Sequence, residues 1–120
     1  MHNMPLVTAL VEFTATGTRV ISDFPAQAIP TKFSLEVVGY DAAGAVLAPT
    51  SWDILLLGSL TGKVYTEKSK ILEHVNTAQD NGDTVYSGAN FYPARFFQID
   101  CKALVLGGAA KIVVMVLGVK

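Results

Sequence analysis

Cysteine, histidine and charge are all scarce in this chain, and each shortage removes a class of function. Cys101 is the single cysteine among 120 residues, so neither an intrachain disulfide nor a multi-thiolate metal cluster can form within one chain. Its alternation with Ile99 and Ala103 makes it an inward-facing small hydrophobe. The two histidines are His2, in the opening tail, and His74, which has no second ligand at metal spacing. Neither supports a metal centre or a catalytic triad, and His74 is expected to be solvated. Charged residues make up 16% of the chain and the net charge is -1, which leaves no basic field to collect nucleic acid or anionic lipid. The opening MHNMPLVTALVEF has no basic n-region and carries Pro5, Thr8 and Glu12, so it does not read as a signal peptide. The most membrane-like stretch, 103–119, falls short of the ~20 residues of a spanning helix and is broken by Gly107, Gly108 and Lys111.

Catalytic motifs are missing as well. The carboxylates Asp23, Glu36, Asp53 and Asp100 show no spacing that brings two of them to glycosidase separation. Asp80-Asn81-Gly82-Asp83 lacks the later ligands of a calcium loop and reads as a turn. Gly107-Gly108 precedes a strand rather than a helix, so it is no phosphate loop. No catalytic residue, metal site or cofactor is assigned, and the chain is expected not to be an enzyme.

What the chain does have is apolar residues, 51% of the total, in short runs of alternating pattern. Its length suits one domain spanning residues 1–120, with residues 1–4 expected to form a flexible tail. The stretch Ser51 to Thr66 carries the clearest signal: Trp52, Ile54 and Leu56 alternate with Asp53, Leu55 and Leu57, a Leu60–Gly62 turn follows, and Lys63 to Thr66 resumes extended chain as a central hairpin. Further strands are expected over Leu6–Thr16, Arg19–Ser22, Thr31–Tyr40 and Thr84–Ser87, with an irregular strand within Glu67–Asn76. Phe24-Pro25 and Ile29-Pro30 bracket a crossing connection, and Asp41–Gly44 is a turn.

The C-terminus supplies a register argument. With Gly107-Gly108 as a two-residue hairpin turn, Phe97, Ile99, Cys101, Ala103 and Val105 pair with Gly118, Val116, Val114, Ile112 and Ala110, all apolar. The opposite face carries Val113, Met115 and Leu117 among polar groups. About eight strands without a secure helix predict an antiparallel β-sandwich of jelly-roll type, with an immunoglobulin-like sandwich as the alternative.

Two sets of surface candidates follow. If Trp52, Ile54 and Leu56 fill the core, Leu55 and Leu57 point outward and can join Val113, Met115 and Leu117 in an apolar interface patch. The other reading has Leu55 and Leu57 on a central strand covered by a loop, and pattern alone leaves both open. Phe91 and Tyr92, beside Pro93, are the candidates for touching a ligand or partner.

The segment ILLLGSLTGKVYT, from Ile54 to Thr66, resembles a pattern in small virion proteins of tailed bacteriophages: an alternating strand, Gly-Ser, a glycine turn and an aromatic. The opening LVTALVEFTAT, the Phe33–Val37 strand, the Arg95–Ile99 strand and the Val-rich last strand are similar to that group too. The resemblance implies a β-sandwich head decoration or cement protein, located in the virion, that forms homo-oligomers and binds the major capsid protein. Discoidin-type and other carbohydrate-binding sandwiches carry a similar hairpin. A glycan- or receptor-binding module of a tail or secreted protein, using Phe91 and Tyr92, is therefore the alternative.

Overall fold

The computed structural model describes residues 5–23, 29–77, 81–87 and 94–119. Period-2 alternation governs them: β1 (Pro5–Phe13), β2 (Gly17–Asp23), β3 (Lys32–Tyr40), β4 (Ser51–Ser59), β5 (Lys70–Thr77), β6 (Thr84–Tyr86), β7 (Phe96–Val105) and β8 (Lys111–Val119). A single 3₁₀ turn, Glu67–Ser69, precedes β5. The strands form two antiparallel four-stranded sheets, ordered β1-β8-β3-β6 (sheet A) and β2-β7-β4-β5 (sheet B). The chain changes sheet at nearly every connection, and among the described residues β4–β5 is the one consecutive pair that shares a sheet. That interleaving is the jelly roll, not the immunoglobulin order.

Three expectations about strand pairing and facing need correction. The central hairpin exists, but its return strand is β5, which pairs Leu56 with Leu72 and Ile54 with His74; residues 60–66 are loop. The C-terminal pair is not a hairpin. After Gly107, at a φ of 60° that suits glycine, the chain crosses from β7 in sheet B to β8 in sheet A. Residues expected to lie side by side instead meet across the core: Phe97, Ile99 and Cys101 from one sheet and Ile112, Val114 and Val116 from the other, none more than 1% exposed. Third, Ala103 and Val105 do not face inward. A register shift places Asp53 opposite Ala103 but Ile54 opposite Cys101, so Lys102 is the extra residue of a bulge. The bulge inverts the alternation, turning Leu104 toward the core and leaving Ala103 and Val105 exposed.

Phe33 of β3 and Phe97 of β7 tie the sheets together with ring centroids 5.0 Å apart. Close backbone approach fixes one end of β3. An added Cβ at Gly39 would meet the Pro49 ring and the Leu47 carbonyl oxygen, while the Gly39 amide donates to Asn81 Oδ1 at 2.6 Å and its carbonyl accepts from the Leu47 amide at 3.0 Å. Gly39→Ala is therefore expected to destabilise the fold by about 1–3 kcal/mol through overpacking, read as a lowered urea midpoint at unchanged slope.

His74 is not solvated; it is fully buried beside Trp52, the only tryptophan. The indole Nε1–H can only donate, so His74 Nδ1 accepts it, at 2.9 Å. The ring proton then sits on Nε2, which donates to the Asp83 carbonyl at 2.8 Å. This chain of bonds links β4 and β5 in sheet B to the turn that enters β6 in sheet A. His74→Leu removes the acceptor from one buried group and the donor from another, and about 2–4 kcal/mol of stability should be lost. Urea melts followed by the single-tryptophan emission measure it directly.

Candidate interaction surface

The two sheets solve their outward faces differently. On sheet A the register aligns Thr8, Leu117, Ser34 and Tyr86 in one row, Leu10, Met115, Glu36 and Thr84 in the next, then Glu12, Val113 and Val38. Leu10 is 69% exposed, Met115 41% and Tyr86 73%. With the half-buried Val113, Leu117 and Val38, Leu10 and Met115 form an apolar band over β1, β8 and the end of β3, and Ser34 and Glu36 separate it from the exposed Tyr86 on β6. One charged pair lies at the end of the band, where Lys111 Nζ bonds Glu12 Oε1 at 2.8 Å, and Glu36 borders it on the β3 side, its Oε2 3.4 Å from Thr84 Oγ1. The band contains Val113, Met115 and Leu117, three of the residues singled out from sequence. Leu10 and Tyr86 were missed; the alternation of Leu10 with Ala9 and Val11 is the signal that marks it as outward.

Leu55 and Leu57 do not belong to this surface. They lie on the outer side of sheet B, across the sandwich from Met115, and are 0% and 2% exposed. The inter-sheet core does not include them. Their cover is the segment between β4 and β5, which runs back over the sheet. The Gly62 amide donates to Ser59 Oγ at 2.9 Å, Gly62 lies against the Phe96 ring, and Glu67 Oε1 meets Lys102 Nζ at 2.7 Å. The contiguous patch joining Leu55 and Leu57 to the last strand is thus excluded, because the crossing at Gly107 sends β8 to the other sheet. Phe91 and Tyr92 lie outside the described residues.

Beneath that covering segment the chemistry is acidic. Burial first, then the hydrogen bond and charge of Glu73, push the Asp53 carboxyl up from 3.8 to about 6. Glu73 is held below its ordinary value by the bond from Asp53 and by Lys70, whose Nζ is 2.8 Å away. Asp53 Oδ1 has no hydrogen-bond partner among the described residues. Burial also raises Asp100. Among the described residues no three His, Cys, Asp or Glu side chains converge to hold a metal ion. Cys101 is buried, its thiol pushed up to about 11 by burial and then by Asp100 and Asp53, so the reactive thiolate is disfavoured.

The raised Asp53 fixes the sign of a pH effect. Between about pH 4 and 6 the folded state holds a proton that the unfolded chain releases, so this group's contribution to stability falls as pH rises through that window. The lowered Glu73 acts oppositely, losing its contribution as pH falls below its ordinary 4.5. Asp53→Asn should flatten the decline between pH 4 and 6 and raise stability at pH 7.5 by about 1 kcal/mol, after discounting for solvent screening. Denaturation midpoints across that range test it.

No protein-family model and no curated protein matches the chain. Among solved structures, the SPBc2 prophage-derived protein YomS is similar at a TM-score of 0.51 and 9% identity, over 95% of this chain and 96% of that one. The capsid of Ralstonia phage GP4 aligns at a TM-score of 0.48 and 18% identity, over 93% of this chain and 81% of that one. At such identity, the likeness to the prophage-derived protein is one of fold: this chain shares its β-sandwich frame over nearly the full length of both.

Proposed function

We propose that this chain is a non-enzymatic structural protein of a phage particle, a head decoration or cement protein that oligomerises and docks on the major capsid protein. The observation that carries the reading is the open apolar band on sheet A. Leu10 and Met115 stand exposed on neighbouring strands of sheet A, while the equivalent face of sheet B is closed by the chain's own loop. The sequence resemblance to small virion proteins and the fold shared with a prophage-derived protein support the same reading.

The mechanism is burial of apolar surface repeated on a lattice. Fully burying one leucine or methionine contributes about 1.5–3 kcal/mol, and these side chains are already partly covered, so a single docking event is weak. Linked copies on neighbouring capsid subunits convert later contacts into intramolecular ones, raising avidity by about 10²–10⁴-fold.

Particles purified from the phage that encodes the chain, with and without its gene, provide the test. The expected result is that the protein co-sediments with wild-type particles and that purified protein rebinds gene-deleted ones. Met115→Glu, at an exposed position opposite Glu36, should lower stability by about 1 kcal/mol or less, keep the native tryptophan emission, and rebind at least about tenfold more weakly, since a carboxylate must be desolvated in the contact. Absence of the chain from purified particles, together with no rebinding, overturns the reading.

A further inference from the structure

The sandwich has four strand edges, and three of them are protected. β6 is only three residues long. β5 carries a register shift against β4, begins at the charged Lys70, and packs near β6 on its other side. β2 is bulged at Ile21, and its Arg19 reaches over the Phe13 ring, 5.6 Å from the centroid, placing a cation at the open side of the core. Bulges, inward-lying charges and short length are the devices that keep sheet edges from pairing with other chains.

β1 has Pro5 and a register shift at its start, but none of these devices from Val7 onward. Its register with β8 is unbroken from Val7 to Phe13, and among the described residues no strand pairs with its other side. Glu12 is the single charge in that span and is held by Lys111. Leu10, at its centre, is 69% exposed.

We propose that β1 pairs antiparallel with β1 of a second copy, about a two-fold axis at Leu10, joining two A sheets into one continuous eight-stranded sheet. The occupant is argued from self-complementarity. A two-fold at Leu10 pairs the whole unbroken span 7–13 with itself, since 10 is its midpoint. Thr8 then faces Glu12 of the second copy, Leu10 faces Leu10, and Ala9 faces Val11. Outward residues meet outward ones and core-side residues meet core-side ones, with no like charges opposed. The pairing satisfies backbone groups of both edges and merges the two apolar bands into one surface facing the same way. It rests on the reading that the chain oligomerises, and it names the edge and the register.

The test is a charge-pair experiment on the purified full chain, with mass by light scattering and the dimer constant by sedimentation. Thr8 is exposed, and its substitution leaves the core untouched. In low salt, Thr8→Lys should tighten the dimer and Thr8→Glu loosen it, each by roughly two- to thirtyfold, because the symmetry creates two cross-strand pairs with Glu12. Leu10→Lys should give a folded monomer, with the single-tryptophan emission reporting that the fold is intact. Protection of the Thr8–Glu12 amides from hydrogen exchange should rise with protein concentration in the wild type and not in Leu10→Lys. A protein monomeric up to millimolar concentration overturns the pairing. So does a dimer whose constant ignores Thr8, or one that Met115→Glu dissociates while Leu10→Lys does not. Particle binding by a lasting monomer would sink the pairing and the oligomerisation while keeping the docking on the particle; a β1-paired dimer absent from particles would keep the pairing and sink the docking.

Discussion

The burial of the last two strands against each other across the sandwich is the contact on which the rest of the structure depends. β7 lies between β2 and β4, and β8 between β1 and β3, so each is hydrogen-bonded on both sides and forms the centre of its sheet. Phe97, Ile99 and Cys101 close on Ile112, Val114 and Val116 in a single inter-sheet core. Because the final strand occupies the middle of sheet A, that sheet cannot be completed until the C-terminus arrives. Most contacts are therefore long-range, and the fold is held by side-chain burial rather than by local turns.

From that arrangement the difference between the outer faces follows. The connection from β4 to β5 folds back over sheet B, and Leu55 and Leu57 beneath it are sealed from water beside a carboxylate cluster. Sheet A receives no such cover among the described residues, and its band with Leu10 and Met115 stays accessible. A sandwich with one sealed and one open face is directional: it has a single side suited to lying on another surface. An edge strand left unpaired among the described residues borders the same open sheet.

One polar bridge enters the core. Trp52, His74 and the Asp83 carbonyl bond each other in sequence, which lets an imidazole sit fully buried. Pattern gave no warning of it, since a histidine beside Glu73 in an irregular segment looks solvent-facing until the strand parity is known. The inward slot opposite Ile54 is what makes His74 a core residue.

Period-2 alternation in Phe33–Gly39, Phe97–Cys101 and Ile112–Gly118 was enough to assign strands, their buried faces and an all-β class, because side-chain parity along one strand is a local property. Val113, Met115 and Leu117 were legible as outward-facing on the same ground. Which strands become neighbours is not local: an apolar face on β7 is equally satisfied by β8 beside it or opposite it, and only the assembled sandwich chose the second. The bulge at Lys102, which reverses the parity of Ala103 and Val105, and the loop that hides Leu55 and Leu57 likewise exist only in tertiary contact. Sequence determined which faces must leave water; the three-dimensional packing decided which surface covers each, because hydrophobic burial is non-directional and leaves the choice of partner to geometry.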